Sequence, residues 1–109
     1  MIARIWHGWT SHENASLYQQ LLVDEIMPGI AARNMVGYCG YHLLRRSVGN
    51  EVEFTTMMWF ESLEQVKQFM GEDYEVAHIP EKAAKLLSRW DQRSQHCEAI
   101  MFPNELSNQ

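Results

Sequence analysis

The period of the apolar positions changes along the chain, and each change marks an element. Ile2, Ile5, Trp6 and Trp9 fall in a stretch without proline, which predicts a first strand over 2–9. Ile5, His7 and Trp9 share one of its faces, and Ile2, Arg4 and Trp6 the other. A strand with one wet face alternates more cleanly. The period then lengthens. Thr10-x-x-Glu13 fits a capping box, and Leu17, Tyr18, Leu21, Leu22 and Ile26 follow at helical spacing. Pro28-Gly29 is expected to stop this helix. Period two returns over 36–46 and 51–60, two strands joined by a hairpin turn at 47–50. In the first of these, Gly37, Cys39, Tyr41 and Leu43 share a face. In the second, Val52, Phe54, Thr56, Met58 and Phe60 oppose Glu53, Thr55, Met57 and Trp59. Ser62-x-x-Gln65 is another capping box, opening a short helix with Leu63, Val66, Phe69 and Met70 in its stripe and Gly71 at its end. One further helical turn is expected over 74–78. Pro80 opens a third helix whose apolar side is Ala83, Leu86, Leu87 and Trp90. A last strand spans 93–102.

The order is β-α-β-β-α-β. It predicts an α+β fold of the ferredoxin-like, split βαβ kind: an antiparallel four-stranded sheet with helices on one face. The domain covers 1–103, and 104–109 is a polar tail. The face without helices is still bulky and apolar, and the chain has no spare helix to cover it. A second copy of the sheet is the simplest cover, so a homodimer through the sheet face is expected. A standard interface of roughly 1,600 Å², about 60% apolar, supplies on the order of 20 kcal/mol of gross driving force before association costs.

Composition narrows the partners. The 109 residues are 46% hydrophobic, enough for one core, and the formal net charge is −5. The cations do not cluster; Arg45–Arg46 is the one adjacent pair of arginines. Nucleic acid and membrane are therefore excluded as expected partners. No stretch approaches the ~20 apolar residues of a membrane span, and no leader is apparent at the start. Cys39 and Cys97 lack metal-ligand spacing and are read as buried free thiols of a reduced, cytoplasmic protein. No histidine pair has zinc-site spacing, so no metal is expected.

Three residues are candidates for proton chemistry. His78 follows a helical turn and precedes Ile79-Pro80, where a break would free its ring to face a cleft; neutral imidazole takes a phenolic proton near neutral pH. Its structural alternative is a helix-end or surface histidine. His7 lies between Trp6 and Trp9 on an apolar strand and needs a polar partner. Tyr74, four residues before His78, would share a helical face with it. Trp59 and Met57 on one strand face, with Trp9, Phe69 and Trp90, are candidates to line an aromatic pocket; core packing uses the same residues. Arg4, on the other face from His7, reads as an interface or ion-pair residue.

Four stretches carry a family resemblance: Met1-Ile-Ala-Arg-Ile-Trp-His-Gly-Trp-Thr10, Gly40-Tyr-His-Leu-Leu-Arg-Arg46, Glu51-Val-Glu-Phe54 with Trp59-Phe-Glu-Ser62, and Phe69-Met-Gly-Glu-Asp-Tyr-Glu-Val-Ala-His78. Together with the element order, the chain resembles the antibiotic biosynthesis monooxygenase family of dimeric α+β barrels over about residues 1–102. The resemblance implies a monooxygenase that needs no cofactor and oxidises a small aromatic phenol or quinol with molecular oxygen. The alternatives it leaves are a haem-binding or haem-degrading monooxygenase and a non-catalytic dimer that binds a small ligand. In the haem-degrading branch the site is an Asn in the first strand, a Trp on the helix after the third strand and an axial His beyond that helix. Here His78 stands close to that histidine and Phe69 at or near the tryptophan, while the first strand offers His7 and Trp6 and no Asn.

Overall fold

The computed structural model describes residues 1–101, so the predicted tail and Phe102 lie outside the described residues. Strand β1 spans Ile2–Ser11 and runs into helix α1, His12–Leu21. A π-helical turn, Leu22–Ile26, leads to a short α2, Met27–Ala31. Strands β2, Tyr38–Val48, and β3, Glu51–Phe60, form the predicted hairpin. Helix α3 is Leu63–Met70, α4 is Glu81–Ala84, and two short strands follow, β4 at Leu87–Trp90 and β5 at Gln95–Glu98.

All pairings are antiparallel. The order is β2-β3-β1-β4, with β5 beside β4 along the same edge of β1. The last strand of the four-stranded plan is thus present in two pieces. Alternation sets the two faces. Val52, Phe54, Thr56, Met58 and Phe60 are all buried under the helices, together with Tyr18, Leu22 and Met27. The intervening Glu53, Thr55, Met57 and Trp59 face the side without helices and are half-buried. Among the described residues, no helix is long and apolar enough to cross a membrane.

Several expectations are corrected. Ser11, not Thr10, caps α1: its side chain accepts from the Asn14 N–H at 3.1 Å, while the Thr10 hydroxyl donates to the Ser11 carbonyl. The buried stripe is Ala15, Tyr18 and Leu22, and Leu17 is exposed. Pro28-Gly29 does not end the helical stretch. The π turn widens the backbone just before Pro28, where a proline has no N–H to give, and the helix resumes with Pro28 in its first turn. Residues 74–78 form no helical turn; Val76 bridges Arg93 in extended backbone instead. The third helix stops at Ala84, and Leu87–Trp90 is strand. The register of β1 with β4 shifts between Trp9 and Thr10, so Leu87 opposes Thr10 and Trp90 opposes Gly8. Both side chains pack into one core cluster although they are three residues apart. An irregular strand pairing therefore imitates helical spacing. A second irregularity, at 38–40, puts Tyr38 rather than Cys39 against Phe60. Both cysteines are free but exposed, Cys39 at that bulge and Cys97 on the short β5.

Candidate active site

A cavity of about 610 Å³ lies between the sheet and the helices. Its floor is the helix-side face of β1 and β3, with Arg4, Trp6, Thr56 and Met58. The α1–π–α2 stretch gives one wall, through Tyr18, Leu22, Ile26 and Met27. Phe69 and Met70 from α3, residues 77–80 and Ala83 complete it. The lining is mainly apolar with a few polar groups, the usual character of a small-molecule site. Gly8 allows the Trp6 indole to lie flat along the floor: a Cβ there would stand 2.8 Å from Trp6 Cη2 and 2.9 Å from Leu87 Cδ2. The indole N–H donates to the Asp91 carbonyl at 2.9 Å, which fixes the ring.

Arg4 is the polar centre of the floor. It is only 5% exposed. Its guanidinium donates to the carbonyls of Tyr74 and Val76 and meets His96 Nε2 at 2.8 Å. Burial pushes it down to about 10, and the charge of Glu75 opposes that shift; it remains cationic at neutral pH. His96 is held below its ordinary value of 6.5, first by burial and then by the Arg4 charge. Its Nδ1 is buried without a partner among the described residues. The arrangement fits a neutral ring whose Nε2 accepts from Arg4. The sequence reading of Arg4 as an interface or ion-pair residue is corrected: it sits on the helix side and has no carboxylate within ion-pair distance among the described residues. The signal available was its alternation with His7, which places it under the helices if His7 is on the open face.

The sequence candidates divide between two faces. His78 and Phe69 line the cavity. His78 stands exposed at its mouth and makes no hydrogen bond among the described residues. Arg33 lies over the Phe69 ring, 4.6 Å from its centroid. Tyr74 does not share a wall with His78, because a turn at 74–75 gives way to the bridge at Val76 rather than to a helix; its ring packs edge-on against His96 at 5.1 Å. Trp90 packs into the core beside the cavity rather than lining it. His7, Trp9, Met57 and Trp59 lie across the sheet on the open face. There His7 has a partner that sequence spacing did not reveal, Asp91. One carboxylate oxygen accepts from the His7 backbone N–H at 3.0 Å and lies 2.7 Å from Nδ1. The ring stacks on Trp9 at 6.0 Å, and Arg89 covers Trp9 from 3.9 Å. Trp59 donates to His42 Nδ1 at 2.9 Å. No group of three or more His, Cys, Asp or Glu side chains that could hold a metal ion occurs among the described residues.

Comparison with known proteins bears on the fold. No family model matches the chain, and no curated protein matches it. Solved structures do. A protein described as a putative antibiotic biosynthesis monooxygenase from Bacillus cereus superposes with a TM-score of 0.64 at 14% identity, covering 94% of this chain and 97% of that one. Rv0793 from Mycobacterium tuberculosis superposes with a TM-score of 0.56 at 18% identity, covering 93% and 96%. The chain thus shares its fold with these two proteins over most of its length, and its topology is the α+β, ferredoxin-like one.

Proposed function

We propose that the chain is a monooxygenase that oxidises a small phenol or quinol with molecular oxygen and without a cofactor. The observation that carries this reading is the cavity of about 610 Å³ with, at its mouth, an imidazole that makes no hydrogen bond among the described residues, on the fold of a protein described as a putative antibiotic biosynthesis monooxygenase. The walls of Trp6, Tyr18, Met58 and Phe69 suit a flat aromatic body. His78 takes the phenolic proton. The phenolate gives electrons to oxygen, and one oxygen atom is inserted at a ring carbon. The hydroxyl hydrogen and the hydrogen of that ring carbon leave with the other oxygen atom as water. One phenol and one dioxygen thus give one quinone and one water. The haem reading fits less well. His78 supplies one imidazole, but the first strand lines the cavity with Arg4 and Trp6 and has no asparagine, and Phe69 stands at or near the place of that branch's tryptophan. The same proposal includes a homodimer packed through the open sheet face, with His7, Trp9, Met57 and Trp59 at the interface.

Oxygen-electrode measurements with anthrone-type and quinol substrates test the reaction. The expected result is uptake of equimolar oxygen without added metal or flavin, slowed about a hundredfold in His78→Ala. Absence of uptake with compounds that demonstrably bind the cavity sinks the oxygenase reading and leaves a ligand-binding protein.

A further inference from the structure

The floor of the cavity holds a buried positive charge that no carboxylate pairs with among the described residues. Arg4 uses three hydrogen bonds of the five N–H groups of a guanidinium, and all three go to neutral acceptors. The acid that acts on it by charge, Glu75, is exposed and already engaged by Arg93 at 3.2 Å. A buried cation without an anion is costly, and folds retain one where something else supplies the counter-charge. Two further polar side chains of the same floor are buried and uncommitted. Thr56 is 8% exposed and Ser94 4%, and neither hydroxyl makes a hydrogen bond among the described residues. Thr56 opposes Trp6 across the sheet, and Met58 opposes Arg4, so Thr56 and Arg4 are diagonal cross-strand neighbours. Ser94 adjoins Gln95, which opposes Ile5, so it lies on the other flank of the same stretch of β1.

The other unpaired charge of the described lining has the same sign. Glu25 is the one carboxylate among the described lining residues, and Lys82 holds it at 3.1 Å. Arg33, at the mouth, has a ring contact with Phe69 and no carboxylate partner among the described residues. A chain of net charge −5 therefore has two arginines without a carboxylate partner among the described residues lining this cavity.

We infer that the cavity takes an organic anion: an aromatic or otherwise flat apolar body whose carboxylate is received by Arg4 and Ser94. This narrows the substrate of the proposed reaction to phenols that carry a carboxylate. It rests on the cavity being the substrate site and is independent of whether oxygen reacts there. Arg4 acts as the anchor, with its backbone bonds to Tyr74 and Val76 setting its position. Ser94, on the flank of β1 where Arg4 reaches Tyr74 and His96, donates to the second carboxylate oxygen.

The test is calorimetric titration of the full chain with a matched pair, naphthoate and naphthamide, which share a body and differ in charge. The expected result is that naphthoate binds about tenfold or more tightly than naphthamide at neutral pH. Arg4→Met brings the two to equal affinity, Arg4→Lys restores part of the preference, and Ser94→Ala weakens naphthoate a few-fold with naphthamide unchanged. A purely structural Arg4 lowers the melting temperature and leaves the ratio alone. If Arg4→Met does not fold, the wild-type ratio and Ser94→Ala carry the test. Equal affinity for the pair in the wild-type protein, failure of both to bind, or a full preference in folded Arg4→Met overturns the inference. A naphthoate preference without oxygen uptake on any hydroxylated aryl carboxylate refutes the oxygenase and keeps the anion site. Uptake on neutral quinols without a charge preference does the reverse.

Discussion

At the scale of the residue, His96 is what makes a buried Arg4 tolerable. A neutral ring offers Nε2 as an acceptor 2.8 Å from the guanidinium; a protonated ring would set two cations against each other. Burial and Arg4 both hold His96 below 6.5, so it resists a proton in the folded state that it accepts when unfolded. Where the unfolded chain binds more protons, stability rises with pH. The contribution of His96 is therefore fully present above its unfolded value and is lost as the pH falls from there toward the folded one. Melting temperatures between roughly pH 5 and 7.5 should decline on acidification, and the decline should be shallower in His96→Asn, whose amide cannot titrate. Parallel slopes for the two proteins would show that Arg4 does not depend on a neutral ring.

At the scale of the element, the local devices that set the helices against the sheet are few and separable. Ser11 satisfies one free N–H at the start of α1, so Ser11→Ala should lower stability by about 1 kcal/mol in chemical denaturation. Gly37 leads into β2 with φ of +82°, and a Cβ there would stand 2.3 Å from Gln65 Cγ. Gly37→Ala combines backbone strain with a collision and should cost more than about 1 kcal/mol. An effect of either change below a few tenths of a kcal/mol would contradict the assignment. The same elements show what a sequence can express. Strict alternation over 51–60 marked β3 to the residue, and α3 followed from its stripe and Gly71. Where pairing is irregular, alternation misleads. The shift opposite β4 made Leu87 and Trp90 look helical, and the bulge at Cys39 inverted the facing of Tyr38. The π turn was hidden behind Pro28-Gly29 for a similar reason, since local signals report where a regular helix fails and not what replaces it. Of the cavity lining, His78 was legible from its place before Ile79-Pro80 and Phe69 from the stripe of α3. Arg4, Ser94 and Asp91 were not, because each acts through a residue more than 65 positions away or through a cavity that exists only after folding.

At the scale of the whole molecule, the two faces of one sheet have different tasks. The helix side encloses the cavity. The open side presents Ile5, His7, Trp9, Leu44, Met57 and Trp59, with Arg46–Glu53 and Arg89–Glu51 ion pairs among them. An apolar sheet face of this kind suits a second copy of itself packed about a two-fold axis. The chain should therefore run in solution at twice its 12.8 kDa mass by light scattering. Leu44 is the position for separating assembly from folding. It is 54% exposed in the protomer, so a carboxylate there meets water in the monomer and is desolvated only if a partner covers the face. Leu44→Glu should yield a folded monomer with an unchanged far-ultraviolet spectrum. The cavity lies on the opposite side of the sheet, so a ligand that binds it should bind the monomer with about the wild-type affinity. A variant that stays dimeric would place the interface elsewhere. A monomer that loses ligand affinity would mean that the pressed face holds the floor, with Arg4 and Trp6 on it, in shape from behind.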